Sequence, residues 1–327
     1  MAKIAIMGFG TVGSGVLEVC RRNAASIARR AGEPVEVKYI LDPKDFSNHP
    51  DAHLFIKNFD TILEDPEIKV VVETIGGTRF AYPYVKACLE SGRSVCTSNK
   101  EMVATYGAEL LGLAKEHGCA FLFEASVGGG TPIITPMHQC LAANVISQVQ
   151  GIVNGTTNYM LTRMDEDGMS YEDALKEAQE RGFAEADPTA DVDGLDAAAK
   201  IAILASIAFN SRVTMNQVFT EGIRRISPVD LAMAHEMGYA VKLLAHAYRS
   251  DGGIDVRVHP TMIPESHQLA TVNGVFNAIY TVGDAAGENM FFGEGAGAGP
   301  AASAVMGDVL EVARHLQMGI KPIVGCT

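Results

Sequence analysis

At 327 residues the chain is long enough for two domains with a sizeable core, and its 47% hydrophobic content without low-complexity tracts describes a globular protein, not a disordered one. With 26 basic residues against 39 acidic ones the net charge is -13, which argues against nucleic acid or an anionic membrane surface as the main partner.

The run Ile4-Ala-Ile-Met-Gly8-Phe9-Gly10-Thr11-Val12-Gly13 sets a G-x-G-x-x-G turn directly behind an apolar strand, and Val16, Val19 and Cys20 follow at helical spacing. Glycines here permit a tight turn and let free N–H groups at a helix start approach a pyrophosphate, so a dinucleotide site is expected in preference to a bare βα turn. The helix reads as one long element closed by Arg29-Arg30-Ala31-Gly32. The next strand, Val35–Leu41, ends at Asp42, whose carboxylate is placed to accept hydrogen bonds from an adenosine ribose, or else forms the turn before Pro43. Asp42 repels a 2′-phosphate and favours NAD, while Lys44 would neutralise one, so NAD and NADP both stay open.

Three further βα units follow: strands around 69–73, 94–97 and 119–124, with helices near 82–91 and 106–117, the latter closed by Gly118. Continuous apolar strands separated by helices predict a parallel sheet covered on both faces, a Rossmann-type domain. Polar residues collect at the carboxyl ends of these strands, where open α/β sheets bind ligands, so Thr74, Lys100 and Glu124 are expected to face one crevice beside the glycine loop. Glu124, with Gly128, Gly129 and Gly130 behind it, either offers a carboxylate and turned-in carbonyls to a cation or forms a flexible loop.

Past residues 132–141 the pattern changes. A strand ends in Asn154-Gly155-Thr156-Thr157-Asn158, small polar residues suited to a small polar substrate or to capping the next helix. Ser170-Tyr-Glu-Asp173 opens another helix that stops at Gly182. Alternating segments between 241 and 292 predict a second, mixed or antiparallel sheet whose exposed face or edge would serve as a dimer surface. A second glycine loop, 293–299, then leads into a helix of small residues and acts as an anion cradle or as a hinge. The fold expected is therefore α/β, a dinucleotide-binding domain over 1–136 completed by 300–327, with an α+β catalytic and dimerisation domain over 137–299.

The chemistry concentrates in Glu185-Ala-Asp187-Pro-Thr-Ala-Asp191-Val-Asp193-Gly-Leu-Asp196-Ala-Ala-Ala-Lys200. Asp196 and Lys200 are four apart, on one face of a helix, and from Leu195 to Phe209 the only other polar residue is Ser206. Such a helix is expected to be buried, and an ammonium inside it must be paired or neutral. Desolvation and neighbouring carboxylates push its pKa in opposite directions, a balance that suits a proton carrier; the competing reading is an ordinary solvated i,i+4 pair.

The six cysteines, Cys20, Cys88, Cys96, Cys119, Cys140 and Cys326, have neither C-x-x-C nor zinc spacing, so reduced, mostly buried thiols are expected. The chain opens on a strand-like run with no basic-then-apolar leader, and no stretch of about twenty apolar residues occurs. The expected compartment is the cytoplasm, with no membrane or nucleic-acid partner.

The order Gly8-Phe-Gly-Thr-Val-Gly13, Ser98-Asn-Lys100, Glu124-Ala-Ser-Val-Gly-Gly-Gly130, Asn154-Gly-Thr-Thr-Asn158, Gly182-Phe-Ala-Glu-Ala-Asp-Pro188 and Asp191-Val-Asp-Gly-Leu-Asp-Ala-Ala-Ala-Lys200, with the late Gly-Ala-Gly loop, resembles homoserine dehydrogenases over essentially the whole chain. The resemblance implies NAD(P)-dependent interconversion of L-homoserine and L-aspartate 4-semialdehyde, a step of threonine and methionine biosynthesis, by a homodimer. It assigns Lys200 as acid/base on the C4 oxygen, Lys100 near nicotinamide and substrate, and Glu185, Asp191 and Asp196 to the substrate amino group and to orienting Lys200. Gly155 and Thr156 join the substrate set. Phe9, Thr11, Val12, Thr74, Lys100 and Gly297 map to cofactor contacts beside Gly8, Gly10, Gly13 and Asp42. A sodium ion maps to Glu124 with main-chain oxygens of Val127, Gly129 and Thr131. Two departures stand out. Many bacterial members carry a C-terminal ACT domain, and nothing in this sequence follows Thr327, so threonine feedback through that domain is not expected unless the chain is a truncation. Many also carry an arginine where Leu41 stands, which withdraws one reason for NADP preference. The readings that compete with this one are a two-domain Rossmann reductase of another small aldehyde or imine, and a non-catalytic dinucleotide sensor.

Overall fold

Apolar runs without polar alternation become strands of a parallel sheet covered by helices. The computed structural model describes residues 1–320, which divide into two units: Met1–Gly130 completed by the chain from Gly297, and Thr131–Ala296. In the first, β1 (Ala2–Met7), β2 (Val35–Leu41), β3 (Phe55–Ile56), β4 (Ile68–Glu73), β5 (Ser94–Thr97) and β6 (Phe121–Leu122) pair in parallel in the order β3-β2-β1-β4-β5-β6. Ile4, Ala5, Ile6 and Met7 of the central strand are wholly buried, as a strand covered on both faces requires. The strand order reverses between β1 and β4, so the carboxyl ends of those two strands form the crevice.

The helices of this unit are α1 (Thr11–Arg22), α2 (Ala24–Ala31), α3 (Asp60–Glu64), α4 (Ala81–Glu90) and α5 (Lys100–His117). The single long helix expected after the glycine turn is in fact two, because α1 stops at Asn23, whose N–H turns back onto Val19 O and Arg21 O. Asparagine favours such turns over helix interiors, and Arg21 and Arg22 suit a helix C-terminus. The expected stop at Gly32 holds for α2, with Gly32 left-handed at φ 83°. α5 starts six residues earlier than the apolar periodicity suggested, because the Asn99 side chain accepts Met102 N–H and caps it. The short edge strand β3 was not anticipated; two half-buried residues give almost no periodic signal.

The second unit holds β7 (Ile146–Ile152), α6 (Gly155–Asp167), α7 (Tyr171–Glu180), α8 (Thr189–Val192), α9 (Leu195–Phe209), β8 (Phe219–Thr220), α10 (Pro228–Glu236), β9 (Tyr239–Ser250), β10 (Gly253–Pro264), β11 (Phe276–Gly283) and β12 (Gly287–Glu294). Its sheet runs β12-β11-β7-β9-β10-β8, antiparallel except for the parallel β8–β10 pair, the mixed sheet expected. α9 lies against β7, β9 and β10, and ten of its residues are buried, as its near-continuous apolar composition demands.

The chain then returns to the first unit as α11 (Ala298–Met318), three residues earlier than the small-residue run indicated, with Pro300 tolerated in its first turn. α11 packs on α1 so closely that a Cβ at Gly15 would stand 2.5 Å from Ala298 O. Among the described residues Cys20, Cys88, Cys96 and Cys119 are buried free thiols and Cys140 is an exposed one, while Cys326 lies outside the described residues. No described helix is long and apolar enough to cross a membrane.

Candidate active site

The first unit gathers the expected cofactor residues at the carboxyl edge of its sheet. Gly8 adopts φ 93°, and a Cβ there would lie 2.8 Å from Thr74 O; a Cβ at Gly13 would lie 2.1 Å from Gly8 O. Packing therefore requires glycine at both. Gly10 differs: a Cβ would meet nothing within 4 Å, so the protein's own packing does not demand glycine there, and its backbone is open to the approach of an anion. Gly10 is also the N-cap of α1 and offers no side-chain acceptor to the first turn, which leaves Thr11, Val12 and Gly13 at a helix start suited to an anion.

Two side chains hold this turn in place. Thr74 donates its hydroxyl to Gly8 O at 2.8 Å. Asp42, buried at the end of β2, accepts Phe9 N–H at 2.8 Å and Lys44 N–H at 2.9 Å. Asp42 thus forms the turn before Pro43 and also anchors the glycine loop. The Phe9 ring packs among Phe46, His49 and Phe55, with centroids 5.4, 5.4 and 4.9 Å away.

Glu73 was missed from the sequence. Wholly buried, its carboxyl accepts Thr97 Oγ1 at 2.5 Å and Ile75 N–H at 2.8 Å, and burial pushes its pKa up against those donors. It ties the turn after β4 to the end of β5. Lys100, half-buried, occupies the first turn of α5 next to Asn99, which donates to Gly77 O at 2.6 Å. Glu124 lies in a short 3-10 turn after β6, and its N–H donates to the buried Asp308 of α11 at 3.0 Å. Burial, and secondarily the charge of Glu124, hold the Asp308 carboxyl well above the usual carboxylate range. Gly297 caps the start of α11 at φ 120°, one residue before the Ala298 oxygen that abuts Gly15. Among the described residues no three His, Cys, Asp or Glu side chains are grouped to hold a metal, so any cation at Glu124 depends on main-chain oxygens.

The second unit builds the lysine cluster. Lys200, on α9, donates to Asp196 Oδ2 at 2.7 Å and to Val153 O, just past β7, at 2.7 Å. Their side chains are 13% and 6% exposed, so this is a largely desolvated ion pair and not the solvated i,i+4 pair of an ordinary helix. Two of the ammonium's three N–H groups are committed to these acceptors.

The acidic run splits in two directions. Asp191 and Asp196 turn inward and share the side-chain amide of Asn154, at 2.7 and 2.9 Å. Asp187 instead closes a local turn on Thr189 N–H at 3.1 Å, and Asp193 pairs with exposed Arg224. Glu185 sits in the exposed loop between α7 and α8; its main-chain oxygen accepts Gln179 Nε2 at 3.0 Å, and among the described residues no side-chain hydrogen bond joins it to the lysine cluster. Gly155 and Thr156 begin α6, where a Cβ on Gly155 would meet Val275 O at 2.7 Å and Thr156 Oγ1 donates to Phe183 O at 2.5 Å. Asn154 caps α6, as one reading of this strand end expected, and also bridges the two acids.

A doubly wound parallel sheet with a glycine turn at its switch point defines the class: a dinucleotide-binding α/β protein. Comparison with known proteins narrows it. The homoserine dehydrogenase family matches residues 132–310, and the NAD-binding domain of homoserine dehydrogenase matches residues 8–124. Homoserine dehydrogenase of Bacillus subtilis is 42% identical over 322 residues, 97% of this chain and 74% of that one. The crystal structure of a homoserine dehydrogenase from Thiobacillus denitrificans superimposes with a TM-score of 0.93 at 43% identity, covering 97% of this chain and 74% of that one. A hyperthermophilic archaeal homoserine dehydrogenase in complex with NADPH superimposes with a TM-score of 0.81 at 29% identity, covering 95% of this chain and 97% of that one. The chain belongs to the homoserine dehydrogenase family, NAD(P)-dependent oxidoreductases acting on a CH–OH group.

Proposed function

We propose that this protein interconverts L-homoserine and L-aspartate 4-semialdehyde with Lys200 as the proton carrier. The observation that carries the reading is the desolvated Lys200–Asp196 pair, with an ammonium fixed by two acceptors and able to serve a third. The nicotinamide supplies or accepts the hydride at C4. Lys200 gives its proton to the C4 oxygen as the aldehyde is reduced and takes it back as the alcohol is oxidised. Asp196 holds the ammonium in place for both directions. Asp191 and Glu185 bind the substrate amino group, the exposed Glu185 joining when substrate arrives. Gly155 and Thr156, at the start of α6, receive the substrate carboxylate, since a helix N-terminus favours an anion.

Gly8, Phe9, Gly10, Thr11, Val12, Gly13, Asp42, Thr74 and Gly297 bind NAD or NADP, and Lys100 contacts both nicotinamide and substrate. Glu124 with main-chain oxygens of Val127, Gly129 and Thr131 forms a sodium site. One carboxylate plus carbonyls is a hard-oxygen set matched to a single positive charge, and Gly128 and Gly129, at φ 77° and 56°, let successive carbonyls turn. Residues 137–299 form the catalytic and dimerisation domain. Its edge strand β12 leaves Met290 39% and Phe292 53% exposed, an apolar edge suited to a second copy of the chain.

The test is Lys200→Ala, assayed for homoserine oxidation and for NAD(P)H binding by fluorescence. Turnover should fall by a factor of about 100 or more, the usual worth of a general acid–base, with cofactor affinity kept. Wild-type turnover in this variant refutes the assignment.

A further inference from the structure

Asn154 is a hub whose hydrogen-bonding capacity is fully used. Its Oδ1 accepts Thr157 N–H at 2.9 Å and Thr157 Oγ1 at 2.8 Å, while its Nδ2 donates to Asp191 Oδ1 at 2.7 Å and to Asp196 Oδ2 at 2.9 Å. The orientation of the amide is fixed by chemistry: a backbone N–H can only donate, so the oxygen must face Thr157 and the nitrogen must face the acids. Asp196 Oδ2 is the same atom that accepts the Lys200 ammonium at 2.7 Å. The residue before Asn154 supplies the other Lys200 acceptor, Val153 O, at 2.7 Å. One buried amide, 6% exposed, therefore spaces two carboxylates on α8 and α9 and orients the oxygen that grips the lysine.

We infer that Asn154 is a positioning residue of the reaction: its amide N–H groups hold Asp191 and Asp196 apart and set the direction of Lys200. Two carboxylates brought together without a donor between them repel, or draw in a proton. A neutral two-hydrogen donor relieves this without adding a second cation that would compete for Asp196. Aspartate would cap α6 equally well but would turn a third anion toward the other two, so helix capping alone does not explain an amide at this position. The inference rests on the reading of Lys200 as proton carrier.

Its test uses substitutions that preserve the helix cap. Serine and aspartate are N-caps comparable to asparagine, so Asn154→Ser and Asn154→Asp should keep α6 capped and NAD(P)H affinity near wild type, while the third anion makes Asn154→Asp the less stable of the two. Asn154→Ser loses two hydrogen bonds to charged groups, and kcat with homoserine should drop about tenfold to a hundredfold. Asn154→Asp should be worse near neutral pH and should recover in part as pH falls, because the introduced carboxyl, once protonated, loses its charge and donates one hydrogen bond toward Asp191 or Asp196, the charged groups it faces together with Lys200. Both variants at wild-type kcat, with unchanged pH profiles, overturn the inference. Lys200→Ala measured alongside separates the two failures: an inactive Lys200→Ala with unaffected Asn154 variants sinks only the role of Asn154, and an active Lys200→Ala sinks the proton-carrier reading itself.

Discussion

Replacing Lys200 with methionine separates the structural role of the ion pair from its chemical role. Methionine keeps a long unbranched side chain, one atom shorter than lysine, and removes the charge, while Asp196, 6% exposed, keeps the Asn154 amide at 2.9 Å. Removing one partner of a buried pair costs about 3–5 kcal/mol. The retained amide and the 13% exposure of Lys200 put this site at the lower end, about 3 kcal/mol. For a unit of this size that lowers the melting temperature by about 6–12 °C. Lys200→Met combined with Asp196→Leu removes the carboxylate as well and should restore at least half of the lost stability, since apolar replacement of a buried pair is often neutral. Turnover should be absent from both variants. Scanning calorimetry and steady-state oxidation of homoserine measure the two effects on the same samples. An unchanged melting temperature in the single variant would mean that the pair is solvated, and turnover within tenfold of wild type in the double variant would refute the proton-carrier mechanism.

Two further predictions concern residues outside the lysine cluster. Asp42→Ala deprives Phe9 N–H of its acceptor at 2.8 Å, so the NAD(P)H dissociation constant should rise about tenfold, with kcat at saturating cofactor preserved; an unchanged dissociation constant would remove Asp42 from the cofactor site. Lys242, buried on β9, donates to Val272 O at 2.8 Å and to Asn273 Oδ1 at 2.6 Å, and burial lowers its pKa to about 8 despite Asp165 and Glu166 nearby. The folded state thus holds this proton less tightly than the unfolded chain, so its contribution makes stability rise, by up to about 3 kcal/mol, as pH increases from about 8 to 10.5. Denaturant melts of wild type and Lys242→Met across that range should diverge with this sign; parallel curves would contradict it.

Much of the site was legible because its signals are local. The glycine turn announced itself through three residues whose spacing matches a strand-to-helix turn, and Asp196 with Lys200 needed only the helical repeat and an apolar composition. What escaped were partnerships set by distance in the chain. Glu73 looks like the polar end of a strand until Thr97, on the neighbouring strand, is seen donating to it at 2.5 Å. Five clustered carboxylates read alike in sequence, yet two turn inward to Asn154 while Asp187 and Asp193 are taken by Thr189 and Arg224. The break at Asn23 and the early start of α5 at Lys100 were decided by single side chains acting as turn and cap, and apolar periodicity does not register them.

The amino-acid order by itself determined the two kinds of sheet, the glycine turn and the buried helix that carries Lys200, because hydrophobic period, turn residues and the cost of burying a charge act over a few neighbouring positions. Only the tertiary structure decided which acids join the lysine and which amide holds them. Those choices depend on bringing Val153 and Asn154, at the end of β7, within hydrogen-bonding distance of α8 and α9 some forty residues on. Contacts of that separation follow from how the sheet and helices pack, and no local pattern encodes them.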